Sequence, residues 1–392
     1  MNNTTAPKNV RTLIAPDKFK GSLTAGEVAD ALAAGLRSAT GAGTVHCEIL
    51  PLADGGDGSV DAAVASGFTR RSYTVAGPTG QPVQASIAYD GVTAVVEVAN
   101  TCGLGLLPGG RPEAMAASSR GFGEAVLFAL SLNPATIVLA LGGSASTDGG
   151  MGMLTALGFT FRDADGRQLN GSGSSLARIH SVDRAAFPEL AGTNLIIASD
   201  VYNPLLGPQG APAVFGPQKG AGPAEILALE QGLTHFVTQL TEAGFPGAGF
   251  PGARESGPAT LARHEGSGSA GGIGFACLLL GAQQVSGADF FLDLLDFNSR
   301  KESCDVVITG EGSLDEQTLA GKLPAAVARR SGARPIIAVA GRSLLPRERW
   351  SDLALTGVYT LAQYTDQDSS KDPELSAALL RQIGRDIGAN LL

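Results

Sequence analysis

An α/β fold built on a mostly parallel sheet is what this sequence predicts, on three observations. Short β-branched runs alternate with stretches of helical periodicity. One antiparallel hairpin interrupts the alternation. Small and charged residues gather directly after the apolar runs, where α/β sheets build their ligand crevices.

The elements follow in chain order. Residues 11–15 and 45–52 read as strands, with a helix over 24–38 between them. That helix opens on Thr24-Ala-Gly-Glu27, the spacing of a capping box. Residues 83–89 and 92–98 flank Asp90-Gly91, a two-residue hairpin signal that starts a second domain or a mixed sheet near residue 76. A helix over 113–130 leads to a buried strand at 136–141. A strand at 194–199, a helix at 224–240 and a strand at 305–309 continue the pattern. A helix at 317–330, a strand at 335–340 and a helix at 373–392 complete it, the last with Asp372 as N-cap and Pro373 at the first helical position. Residues 243–252 repeat a Gly/Pro unit and read as an exposed loop.

Composition narrows the function. At 392 residues the chain exceeds one typical core. Its 54 glycines are about twice ordinary usage and show no collagen period, so they mark tight turns and loops that approach ligands closely. The net charge of −9, without any Lys/Arg cluster, argues against nucleic acid or an anionic membrane as partner. The longest apolar stretch, at 271–281, is too short to span a bilayer. The opening Met-Asn-Asn-Thr-Thr-Ala-Pro-Lys carries no secretory h-region, and the scattered Cys47, Cys102, Cys277 and Cys304 form no Cys-x-x-Cys. A cytoplasmic protein with reduced thiols is therefore expected. The four histidines are equally dispersed and make no zinc pair.

Five strand ends share one chemistry. They are Pro16-Asp17-Lys18-Phe-Lys20, Ala53-Asp54-Gly-Gly-Asp57, Gly142-Gly-Ser144-Ala-Ser146-Thr147-Asp148-Gly-Gly, Asp200-Val-Tyr-Asn203 and Gly310-Glu311-Gly-Ser313-Leu-Asp315. Carboxylates, glycine turns and lysines together suit phosphoryl transfer. Mg²⁺ takes one or two carboxylates plus phosphate oxygens, backbone N–H groups cradle phosphate, and lysine neutralises the transferring charge. A carboxylate can take the proton of an attacking hydroxyl. No Walker A motif occurs, since Gly321-Lys322 runs into Leu323. The Gly-x-Gly-x-x-Gly matches at Gly247 and Gly266 follow no clear strand, which discounts a Rossmann fingerprint. A nicotinamide-dependent oxidoreductase of a small hydroxy acid is the alternative, as the sheet and glycines could hold a dinucleotide. A non-catalytic ligand sensor on a kinase-like scaffold is a third reading, against which the retained acidic residues argue.

The segments at 15–23, 51–58, 141–150, 199–205, 215–221, 268–274 and 309–318, with Gly321-Lys322, resemble the bacterial type I glycerate kinase family in order and spacing along nearly the whole chain. The resemblance implies transfer of the ATP γ-phosphoryl group to a hydroxyl of D-glycerate with Mg²⁺, giving 2-phosphoglycerate or 3-phosphoglycerate. It also implies two α/β domains with the active cleft between them. One is a Rossmann/flavodoxin-like parallel-sheet domain built from both chain ends, 1–75 and 275–392; the other is an inserted domain with a mixed sheet, 76–274. ATP and glycerate are the expected small-molecule partners, and a homodimer is left open.

Residue roles follow from the same match. Asp54, Asp148, Asp200 and Lys20 are the candidate catalytic groups, with Lys18, Asp57, Asn203 and Arg300 on the substrate. Ser144, Lys219, Ser269, Gly271, Glu311 and Lys322 are expected at the nucleotide, and Asp200, Glu311 and Asp315 at the metal. At each carboxylate, turn or helix-cap chemistry is the alternative. The chain departs from the family pattern at Thr147, Ser313 and Ala320, where Asn, Arg and His are usual.

Overall fold

The computed structural model describes residues 8–41, 43–184, 192–245, 257–319 and 321–392. These contain thirteen strands: β1 (Lys8–Pro16), β2 (Gly43–Ile49), β3 (Thr69–Ala76), β4 (Pro82–Tyr89), β5 (Thr93–Glu97), β6 (Thr136–Ala140), β7 (Thr160–Arg162), β8 (Ser181–Asp183), β9 (Asn194–Ala198), β10 (Gln283–Val285), β11 (Val306–Leu314), β12 (Ile336–Ser343) and β13 (Leu355–Thr360). They fall into two compact units. The first takes described residues from Met1–Asp54, Asp61–Ser66 and Ala288–Leu392; the second takes Gly55–Val60 and described residues from Gly67–Gly287.

The first unit holds a five-stranded, wholly parallel sheet in the order β13-β12-β11-β1-β2. Val10, Ile14, Ile308 and Val339 on one face pack against helices Ala25–Arg37 and Pro373–Leu391. Those helices approach so closely that a Cβ on Gly35 would stand 2.2 Å from the Arg381 carbonyl oxygen. On the other face Ala338 and Ala340 meet helix Leu323–Ser331 through Ala325 and Ala328. From β1 the chain moves to β2 on one side, whereas β11, β12 and β13 step away on the other. The strand order therefore reverses between β1 and β11, and a ligand crevice in such a sheet opens at the carboxyl ends flanking that reversal.

The second unit holds a mixed six-stranded sheet in the order β10-β9-β6-β5-β4-β3. β3, β4 and β5 are antiparallel, and β5, β6, β9 and β10 are parallel. The hairpin expected at Asp90-Gly91 forms, with the Asp90 carboxylate accepting the Val92 and Thr93 N–H groups. No order reversal occurs here.

The boundaries expected at 75 and 275 are displaced. β3 pairs with β4 along its whole length, so residues 69–75 belong to the mixed sheet. Residues 275–287 also belong there, because β10 extends that sheet beside β9. The turn at 55–60 joins it through a Val60 N–H bond to Glu97, 3.0 Å. Two helices also differ from expectation. The one expected over 113–130 is Arg120–Leu130, and the one expected over 317–330 breaks at Gly321 (φ +115°) into Glu316–Leu319 and Leu323–Ser331. Most of the Gly/Pro repeat at 243–252 lies outside the described residues.

Candidate active site

In the first unit the reversal point carries paired acids. Asp17 follows β1 directly, and its N–H donates to the Gly310 carbonyl of β11 at 2.8 Å. That bond continues the ladder past Pro16↔Gly310 and sets Asp17 beside Glu311. Burial raises the Asp17 carboxyl to about 7, reinforced by the Asp54 charge and opposed by Lys18. Burial likewise raises Glu311 to about 7, against the Thr318 hydroxyl that donates to it and the Lys322 charge; Asp17 and Asp315 push it further up. Two acids that share a low-dielectric edge do not readily ionise together.

Lysines answer them. Lys18 Nζ lies 3.5 Å from Asp17 and 3.9 Å from Asp54. Lys322, the residue before helix Leu323–Ser331, lies 3.9 Å from Asp315. Asp315 also accepts the Gln317 N–H at 2.9 Å, so its turn role is real. Lys20 is exposed, with its backbone running beside Gly312. The fold thus brings Lys18, Lys20, Asp54, Glu311, Asp315 and Lys322 to one sheet edge and adds Asp17 and Thr318. Asp17 escaped the list of expected site residues although it stands in the strand-end motif Pro16-Asp17-Lys18. Thr318 closes the family-like segment 309–318 but had no expected role.

In the second unit the loop after β6 closes on an internal network. Asp148 is fully buried. It accepts the Ser119 N–H and hydroxyl, both at 2.8 Å, and the Gly150 and Gly152 N–H groups, both at 3.1 Å. These bonds tie the loop after β6 to Ser119, Gly150 and Gly152. Ser119 was not anticipated. Lys219, also buried, donates to the Ser144 hydroxyl at 2.8 Å and the Ser146 carbonyl at 2.5 Å. Burial lowers it to about 8, partly offset by the Asp148 and Cys102 charges. A Cβ on Gly271 (φ +70°) would stand 2.0 Å from the Ser146 oxygen and 2.8 Å from Lys219 Nζ, so Gly271 is required for close packing inside this network. Ser269 is buried and donates to the Val201 carbonyl at 3.4 Å. Lys219, Ser269 and Gly271 therefore sit among protein groups here.

The turn at Gly55-Gly56-Asp57 lies against the same strand ends. A Cβ on Gly55 would stand 2.0 Å from the Ala198 oxygen, and one on Gly142 would stand 2.5 Å from Gly56 Cα. Asp57 is exposed there, beside Gly143. Asp200 accepts the Gly287 N–H at 3.0 Å, and Asn203 donates to the Gln209 carbonyl at 2.9 Å. Asp200 thus ties the end of β9 to the start of helix Gly287–Leu294, and Asn203 bridges its own loop. Arg300 lies on helix Phe297–Glu302 in an ion pair with Glu48 of β2 at 3.2 Å. No group of three or more His, Cys, Asp or Glu among the described residues is arranged to hold a metal ion. Thr147 and Ser313 each carry a buried hydroxyl oxygen without a hydrogen-bond partner among the described residues. Ala320 lies outside them.

An acid pair at the reversal point of a parallel sheet, flanked by lysines, suits the chemistry of small-molecule phosphotransferases. The chain belongs to the glycerate kinase family, whose model matches residues 12–391. It is 37% identical over 346 residues to a glycerate 2-kinase of Escherichia coli K12, covering 85% of each chain. It is 39% identical to a glycerate kinase of Bacillus subtilis 168 over 339 residues, again 85% of each. A crystal structure of a Salmonella typhimurium LT2 protein assigned as glycerate kinase 2 superposes with a TM-score of 0.76 at 34% identity, covering 98% of each chain. The activity is that of an ATP-dependent glycerate kinase, and the oxidoreductase alternative finds no support. No helix among the described residues is long and apolar enough to cross a membrane.

Proposed function

We propose that the protein transfers the ATP γ-phosphoryl group to the 2-hydroxyl of D-glycerate, with the Asp17–Glu311 pair taking the hydroxyl proton. The observation that carries this is the pair itself, two neighbouring carboxyls at the order reversal, both raised to about 7. A base works best when its pKa lies near the operating pH. Lys18 and Lys322 stand at the same edge and offset negative charge on the transferring group. The 2-position rests on the name of the Escherichia coli relative.

Asp315, expected at the metal from its strand-end motif, stands at the same edge beside Lys322 and would offer a ligand to a hard cation that takes most of its oxygens from phosphate and water. When bound, Mg²⁺ would supply neutralisation of the phosphate charge. Four free cysteines support a reducing, cytoplasmic setting.

The test is steady-state kinetics with glycerate and ATP across pH. Above the pair's titration the base is available, so kcat/KM should rise through pH 7 and level beyond it. Asp17→Asn and Glu311→Gln should each lower kcat by about 10²- to 10⁴-fold. Retention of near wild-type kcat by both variants would refute the assignment. Phosphorus NMR of the product should show 2-phosphoglycerate, and the 3-isomer would overturn the regiochemistry.

A further inference from the structure

We propose that Ser313 and Arg342 form an anion subsite at the carboxyl edge of the first unit's sheet, binding a carboxylate or phosphate oxygen of a substrate beside the acid pair. The inference rests on the kinase reading.

Register places these residues together. β11 and β12 are parallel, with Glu311 opposite Ala340 and Ser313 opposite Arg342. Partners in a parallel ladder face the same side, as do residues two apart on one strand. Glu311, Ser313, Ala340 and Arg342 therefore share one face of the sheet. The pairing of Ala15 with Thr309, continued by the Asp17–Gly310 bond, puts Asp17 on that face too. The residue between Glu311 and Arg342 on this face is only Ala340, fully buried and too small to screen one from the other.

Two unmet needs meet there. The Ser313 hydroxyl oxygen is out of contact with solvent and has no hydrogen-bond partner among the described residues. A buried polar group left so costs about 1–3 kcal/mol unless something satisfies it. Arg342 is exposed, and no hydrogen bond or ion pair engages its guanidinium among the described residues. Asp368 is the acid that feels its charge, and the Ser370 N–H already serves that carboxylate at 2.9 Å.

Charge balance gives the subsite its use. Asp17, Asp54, Glu311 and Asp315 make this edge acidic, and the charges of Lys18 and Lys322 are turned toward those same acids. Both substrates are anions. Lys20 is a single point charge, whereas a guanidinium offers the fork that matches two oxygens of a carboxylate or phosphate.

The experiment is kinetics on the full chain, with KM measured separately for glycerate and for ATP. Arg342→Gln should raise one of the two by about 10- to 100-fold, the loss expected for a charge-assisted hydrogen-bond pair. A rise for glycerate identifies the carboxylate; a rise for ATP identifies phosphate. Arg342→Lys should recover part of the loss, and Ser313→Ala should raise the same KM by a smaller factor. Unchanged KM values for both substrates in Arg342→Gln and Ser313→Ala, with wild-type melting temperature, would overturn the subsite. That outcome leaves the acid pair standing, because Asp17→Asn tests the pair through kcat.

Discussion

Asp17 and Glu311 acquire their chemistry from position alone. Free in water, these carboxyls would ionise near 3.8 and 4.5, but the buried edge holds both near 7. Each therefore keeps a proton in the folded chain that the unfolded chain has lost. Their contribution to stability is fully present below the ordinary carboxylate values and is lost as pH rises through 7. Asn at 17 or Gln at 311 removes the charge without changing the shape. Either variant should be more stable than wild type at pH 8, by on the order of 2 kcal/mol, with the gap closing below about pH 4. A gap independent of pH, followed by thermal melts, would show that ionisation is not the cause. Lys219 runs the other way. Its value falls to about 8, so the folded chain releases a proton that the unfolded chain retains, and stability rises from pH 8 toward 10.5. Sequence reading reached Glu311 and Lys219 through their strand-end and glycine-loop settings. It placed Asp17 in a strand-end motif but gave it no role, and only pairing with β11, remote in sequence, buries it.

At the scale of elements, the glycine-rich turn at 139–153 shows how function and folding share residues. Sequence marks it as a strand end with a carboxylate, and the structure assigns that carboxylate to the turn's own architecture. Asp148 gathers the N–H groups of Ser119, Gly150 and Gly152, and the Ser119 hydroxyl passes on to accept the Met153 N–H at 2.9 Å. This explains why the helix expected from 113 starts only at Arg120: the preceding serines face the turn rather than extending a helix. Asn at 148 would present an amide donor to a ring of donors. Asp148→Asn should cost about 2–4 kcal/mol in denaturant unfolding, through unsatisfied buried N–H groups. A cost below about 0.5 kcal/mol would show that these bonds do not hold the turn together. Several of the strands that sequence missed have weak local signals. β3 is mostly exposed, and β10, β7 and β8 are three residues each.

At the scale of the whole molecule, the first sheet joins chain ends that local patterns cannot connect. Thr12 pairs with Val306, and nothing in either segment's periodicity says so; only the family resemblance anticipated a domain built from both ends. Each unit has its own apolar core, one around Phe122, Phe236 and Phe275, the other around Ile14, Leu380 and Val339. Two cores of this kind should unfold as separable cooperative blocks. Gly35→Ala forces a Cβ into the Arg381 carbonyl and should weaken the first unit by about 1–3 kcal/mol or more. Asp148→Asn acts on the second. Differential scanning calorimetry should therefore resolve two transitions, with Gly35→Ala lowering one and Asp148→Asn lowering the other. Displacement of a single transition by both substitutions would mean that the units melt together. In that case ionisation of the Asp17–Glu311 pair would draw on the stability of the entire chain instead of its own unit.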